Sequence, residues 1–207
     1  MGQGGGRGLD SQVIIVSAYY DGLGILPDGQ LYPGANDNAS GVAMMLEMAR
    51  QLVASPIQPK KTVMFVAWAG GERVEGLSLV EIMNAKIGFN TLTPESVIEL
   101  SGVGAGSMDQ AAIGAGSSFR LVQVFQDAAA DFDLKTTTRG RGPHFGMPDT
   151  AGFGGRSATT LVLSWDGSDE TAHTPLDTPQ SIDPLKLEKL GRSALLTLIF
   201  LSRETVY

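Results

Sequence analysis

Short, uninterrupted apolar runs alternate along the chain with stretches in which apolar residues recur every three or four positions. Val13-Ile14-Ile15-Val16 is such a run, β-branched throughout, the pattern of a strand buried on both faces. A loop rich in Gly, Pro, Asp and Asn follows from Asp21 to Asn38. Val42, Met45, Leu46, Ala49 and Val53 then fall at helical spacing, with Asn38 or Ser40 placed to cap the helix and Pro56 and Pro59 to end it. Thr62 to Ala67 predicts a second strand, Leu77 to Asn84 a short helix and Ser96 to Leu100 a third strand. A helix capped by Ser117 or Ser118 runs to about Asp131, and Thr136 to Gly155 has the composition of an irregular loop. Thr159 to Leu163 reads as a fourth strand. Asp183-Pro184 supplies an N-cap and a first-turn proline, and behind it Leu187, Leu190, Ala194, Leu198 and Leu201 form one apolar stripe. This alternation predicts an α/β fold, a three-layer αβα sandwich around a mostly parallel sheet. There is no internal repeat, so residues 11–207 are expected to be one domain behind a lead-in at 1–10.

Composition narrows the function. Hydrophobic residues make up 43% and charged residues 18%, enough apolar matter for a folded core. The net charge of −7 argues against binding a phosphate backbone, so no nucleic-acid partner is expected. The absence of cysteine removes disulfides, thiolate metal sites and a Cys nucleophile together. No apolar run, Ala194 to Leu201 included, approaches the ~20 residues that span a bilayer, so no membrane insertion by this segment is expected. Five glycines among the first eight residues read as a flexible lead-in, or as the edge of a piece cut from a longer chain.

In folds of this class, polar residues just beyond the strand ends line the ligand crevice. Those residues include Asp37 before the first helix, Glu72 after the second strand and His173 after the fourth. Two carboxylates and an imidazole are a chemically sound set of three zinc ligands with a fourth position open to water. The alternative is ordinary: Asp37 as a helix cap, Glu72 as a solvated charge and His173 as a hydrogen-bonded loop residue.

The strings around these residues are more specific. Pro33-Gly34-Ala35-Asn36-Asp37-Asn38-Ala39-Ser40-Gly41 precedes an amphipathic helix. Phe65-Val66-Ala67-Trp68-Ala69-Gly70-Gly71-Glu72 and His173-Thr174-Pro175-Leu176-Asp177-Thr178 follow in order. From about Val13 to Ser202 the chain resembles the zinc aminopeptidase family 28 of the metallopeptidases, in clan MH. That family includes bacterial leucyl aminopeptidases, glutamate carboxypeptidase and glutaminyl cyclases, and also the non-peptidase domains of transferrin receptor and nicastrin. The resemblance implies the phosphorylase/hydrolase-like zinc aminopeptidase fold, with a mixed, mostly parallel sheet. It also implies a site for two zinc ions.

Several of the positions that the resemblance implies have changed. Tyr19 stands where a ligand His belongs, and Asp21 keeps the acidic place that orients that His. Asp37, which would bridge both metals, is present. The paired Glu-Glu of general base and ligand reads Gly71-Glu72, so the base is missing and the ligand remains. Ser101 occupies the place of an Asp that would complete the first metal site, and the final His is His173. The losses at Tyr19 and Ser101 fall on one metal, whereas Asp37, Glu72 and His173 are the complete protein shell of the other. The expectation is zinc at one site or none, with Asp37 no longer bridging. A positioned general base is worth ~10²–10⁴ in rate, so peptide hydrolysis is expected to be very weak. The leading expectation is a non-catalytic binding or scaffold domain of a larger protein, with a peptide or protein ligand. The alternative is a mononuclear zinc aminopeptidase or hydrolase using Asp37, Glu72 and His173. By analogy with relatives alone, the location is expected to be extracytoplasmic.

Other residues were weighed against this site. Trp68 is expected to pack beside it, and Asp149 and Phe153 match a segment that shapes the pocket wall. Glu75 is a weak substitute base, His144 an exposed loop residue, and Arg139 and Arg141 a solvated basic loop. Met44, Met45 and Met48 are expected in the core. Gly102-Val103-Gly104-Ala105-Gly106 mimics a dinucleotide-binding turn, a weak match on its own.

Overall fold

The computed structural model describes residues 12–72, 93–114, 117–139 and 158–204. Eight strands and three α-helices lie in these segments. The strands are β1 (Gln12–Tyr19), β2 (Gly24–Ile25), β3 (Leu31–Tyr32), β4 (Thr62–Trp68), β5 (Thr93–Leu100), β6 (Ala111–Ile113), β7 (Thr136–Thr138) and β8 (Thr159–Trp165). The helices are α1 (Gly41–Ala54), α2 (Phe119–Ala130) and α3 (Pro184–Arg203). Six strands form one sheet in the order β4-β1-β5-β8-β6-β7. β4, β1, β5 and β8 run parallel, whereas β6 is antiparallel to β8 and parallel to β7. The fold is therefore α/β with a mixed, mostly parallel sheet and flanking helices, as the sequence implied.

The central strands read as continuous apolar runs because both their faces are covered. Val13, Ile14, Ile15 and Val16 of β1 are fully buried. Ile14, Val16 and Ala18 face a core built with Met44, Met45 and Met48 of α1, Phe125 of α2 and Leu190, Leu198 and Leu201 of α3. Val13 and Ile15 join Val97 and Ala158 in a second cluster on the opposite side. On α3, Ser193 and Thr197 are also fully buried. Their hydroxyls donate one turn back, to Lys189 O and Ser193 O, so neither reaches the core unsatisfied. Asp183 caps α3 by accepting from Leu185 N at 2.9 Å, as predicted.

Four expectations need correction. Thr136–Thr138 is not irregular loop but an edge strand, paired with β6. The exposed side of α1 includes Leu46 and Val53, so the buried face is set by Met44, Met45, Met48 and Leu52. Neither Asn38 nor Ser40 caps α1: the Asn38 amide donates to Tyr19 O and Leu100 O and accepts from Gly102 N, and the Ser40 hydroxyl donates to Asn36 O and accepts from Val103 N. Ser117 and Ser118 do not cap α2 through their side chains either; the Ser117 hydroxyl donates to Gly114 O. The lead-in at 1–10 and the helix expected over Leu77–Asn84 lie outside the described residues.

Candidate metal centre

The site grows from the turn between β3 and α1. Gly34 opens this turn at φ 66°, and a Cβ there would lie 2.8 Å from Asp37 O, so glycine is required twice over. The next residues face inward, with Asn36, Asp37, Asn38 and Ser40 all buried. The Asp37–Asn38 peptide bond is cis. Asn36 Oδ1 accepts from Gly104 N and Ala105 N, Asn38 Oδ1 from Gly102 N, and Ser40 Oγ from Val103 N. The backbone donors of residues 102–105 are thus spent on this turn. That is the physical reason the glycine-rich segment after β5 is no phosphate cradle, despite its sequence. Asn38 Nδ2 donates to Tyr19 O and Leu100 O, which ties the turn to the ends of β1 and β5.

Asp177 closes the arrangement from the far end of the chain. It is buried, and its carboxylate accepts from Asn36 N at 2.7 Å and Asp37 N at 2.9 Å. Four residues earlier stands His173, a non-glycine residue at φ 55°, in the left-handed region that side chains seldom adopt. Strain of this kind is held only where surrounding contacts fix it. His173 Nε2 lies 2.7 Å from Glu72 Oε2 and 3.3 Å from Asp37 Oδ2. One donor atom from each of Asp37, Glu72 and His173 lies within 4.8 Å of the others. The three residues read from the sequence as one ligand set are brought together.

Two carboxylates and an imidazole are the donors that suit zinc. Glu72 Oε2 is buried and, among the described residues, accepts no hydrogen bond of proper geometry, although the imidazole faces it. Burial, then the charges of Asp37, Asp21 and Asp177, push the Glu72 carboxyl up to about 7. A cation at this point would relieve that crowding of negative charge. The residues present therefore fit one metal ion, which Asp37, Glu72 and His173 would hold.

On the Tyr19 side of Asp37 a second cation would meet neutral groups. The Tyr19 hydroxyl donates to Asp37 Oδ1, and it lies 3.3 Å from Ser101 Oγ. Burial, then the Asp37 charge, raise the phenol far above its ordinary value, so in the metal-free protein Tyr19 is a neutral donor to Asp37. Ser101 is likewise neutral. Gly71 lies against the Tyr19 ring: a Cβ there would stand 2.6 Å from Tyr19 Cδ2 and 2.7 Å from its Cβ, with Cγ closer still. Asp21 accepts from Gly71 N at 3.0 Å and Glu72 N at 3.3 Å, so it positions Glu72 through the backbone. Trp68 packs edge-on against Tyr19, with ring centroids 5.7 Å apart.

Arg139 is not part of a solvated basic patch; it pairs with the buried Asp166. Asp149, Phe153, Glu75, His144 and Arg141 lie outside the described residues. From the sequence, Asn36 and Asp177 have no role beyond their motif strings, and Asn38 and Ser40 stand only as helix caps. The signal available was their place inside the two motif strings that also hold Asp37 and His173.

The sequence pattern of peptidase family M28 matches residues 3–198. Aminopeptidase YwaD of Bacillus subtilis is 28% identical over 196 residues, covering 86% of this chain and 39% of YwaD. Among solved structures, BSAP, a zinc aminopeptidase from Bacillus subtilis, superposes with a TM-score of 0.66 at 22% identity, over 93% of this chain and 47% of BSAP. Porphyromonas gingivalis glutaminyl cyclase gives 0.74 at 18% identity, over 91% of this chain and 73% of the cyclase. This chain thus spans about half or less of the length of the two aminopeptidases. The family pattern takes in every strand and every site residue described above, and the chain belongs to peptidase family M28.

Proposed function

We propose that this domain holds one cation at Asp37, Glu72 and His173, lacks the general base at position 71, and serves as a non-catalytic domain that binds a peptide or protein. The observation that carries the reading is the contact between Gly71 and Tyr19. The position from which a carboxylate would take a proton has no side chain, and the Tyr19 ring fills the space any side chain there would need. When bound, a zinc ion would act as a Lewis acid and polarise a carbonyl or a water. The residues of this chain supply its three protein donors, hold Glu72 through Asp21, and cap the second Asp37 oxygen with a hydroxyl. None of them is placed by these contacts to accept a proton from a nucleophile.

A second reading keeps some hydrolysis, because the Asp37, Glu72 and His173 cluster is complete. The two part in one assay. Full-length chain, loaded with zinc, is tested for release of the amino-terminal residue from a chromogenic aminoacyl amide, beside the His173→Ala variant. The proposal expects no turnover above that of His173→Ala. Turnover abolished by His173→Ala would favour the mononuclear hydrolase.

A further inference from the structure

The two oxygens of Asp37 serve different partners. Oδ2 faces the imidazole of His173 at 3.3 Å, on the side of the three-donor cluster. Oδ1 accepts the Tyr19 hydroxyl. A carboxylate that bridges two cations with one oxygen on each needs both oxygens open, and here a phenolic proton lies on one. Tyr19 is well placed to keep it there. It is only 4% exposed, its carbonyl accepts from Asn38 Nδ2, and its ring is packed edge-on by Trp68. The ring reaches this place across Gly71, where two of the atoms it presents lie 2.6 and 2.7 Å from any Cβ. The Tyr19 Cβ is one of these, so turning the ring does not relieve the overlap.

We propose that Tyr19 is the positioning residue that commits Asp37 to a single cation, and that glycine at 71 is the steric condition for it. Tyr19 and Gly71 thus form one device rather than two separate losses. This rests on the one-cation reading given above and names the residue that enforces it. Partners that orient a metal ligand are typically worth ~10–100-fold in metal affinity.

The test uses metal-free full chain. Zinc is titrated calorimetrically into wild type and Tyr19→Phe, which keeps the ring and deletes the hydroxyl. Wild type is expected to bind one equivalent. Tyr19→Phe is expected to bind one equivalent about 10–100-fold more weakly, and its metal-free form to melt about 3–10 °C lower because a buried hydrogen bond to a charged acceptor is lost. Equal affinity in the two proteins overturns the role of Tyr19, and two equivalents in wild type overturn the commitment to one cation. A wild type that binds no zinc overturns the one-cation reading itself and this proposal with it. The steric half is read from thermal midpoints alone. Gly71→Ala is expected to lower the midpoint by about 3–10 °C in wild type and by less than ~1 °C in a Tyr19→Gly background. An equal drop in both backgrounds, or none in wild type, overturns the pairing.

Discussion

Replacing Asp177 by alanine should cost more stability than any substitution on the exposed surface. The carboxylate is 1% exposed and accepts two backbone hydrogen bonds, from Asn36 N at 2.7 Å and Asp37 N at 2.9 Å. The Asp177 carbonyl also accepts from Ala35 N at 3.2 Å, so the residue fastens the whole turn that carries Asp37. Hydrogen bonds to a charged acceptor contribute ~1.5–3 kcal/mol each, and Asp177→Ala leaves both donors buried without a partner. The expected loss is about 3–6 kcal/mol, against a total of ~5–15 kcal/mol for an ordinary domain. Asp177→Asn keeps one acceptor oxygen and turns an amide group toward the other N–H. It should lose roughly half as much, ~2–3 kcal/mol. Urea unfolding followed by fluorescence of the two tryptophans, Trp68 and Trp165, measures both. A loss below ~1 kcal/mol for Asp177→Ala would refute the claim that this carboxylate holds the two ends of the site together.

Three further outcomes are expected. Glu99 on β5 is buried, and among the described residues no hydrogen bond or ion pair reaches it; burial pushes its carboxyl up to about 7. The folded state therefore holds this proton more tightly than the unfolded chain, so stability falls as pH rises from about 4.5 to about 7 and levels above that, by ~3 kcal/mol for this group. Glu72 adds to the same slope in metal-free protein, so the check is the difference: Glu99→Gln should flatten the curve, and an unchanged slope in urea midpoints against pH would contradict it. At Gly41 a Cβ would stand 2.7 Å from Leu100 O and 2.9 Å from Asn38 Cγ, so Gly41→Ala should cost ~1–3 kcal/mol in thermal unfolding, and a neutral result would contradict the close approach of α1 to β5. Replacing Tyr19→His and Ser101→Asp together, with Gly71 kept, should raise zinc by elemental analysis from one equivalent to two, whereas a count still at one would show that the departures at these two positions do not set metal number.

The parts of the fold legible in the sequence were those where one rule acts alone. β1 and β8 announce themselves because burial on both faces demands an unbroken apolar run, and α3 because its stripe, cap and proline agree. β6 and β7 have three residues each, too few for a period to show, and the alanines of β6 carry no strand preference. The buried face of α1 was misjudged toward Leu46 and Val53 because the spacing of apolar residues fits two overlapping stripes, and only packing on the sheet chooses between them. For the site, the strand ends offered Asp37, Glu72 and His173 as one possible ligand set beside a bland alternative, and the resemblance singled them out, since no local spacing links residues so far apart. Asp177 could not be read locally either, because what it does is bond to backbone 140 and 141 positions away. The contact between Tyr19 and Gly71 is of the same kind: each looks like an isolated departure in sequence, and only the fold brings the two side by side.

The most direct measurement is anomalous diffraction at the zinc edge from crystals of the full chain grown with excess zinc. The account predicts a single peak among Asp37 Oδ2, Glu72 and His173, with the Tyr19 hydroxyl still on Asp37 Oδ1. A second peak beside Asp37 Oδ1 and Ser101 would contradict it.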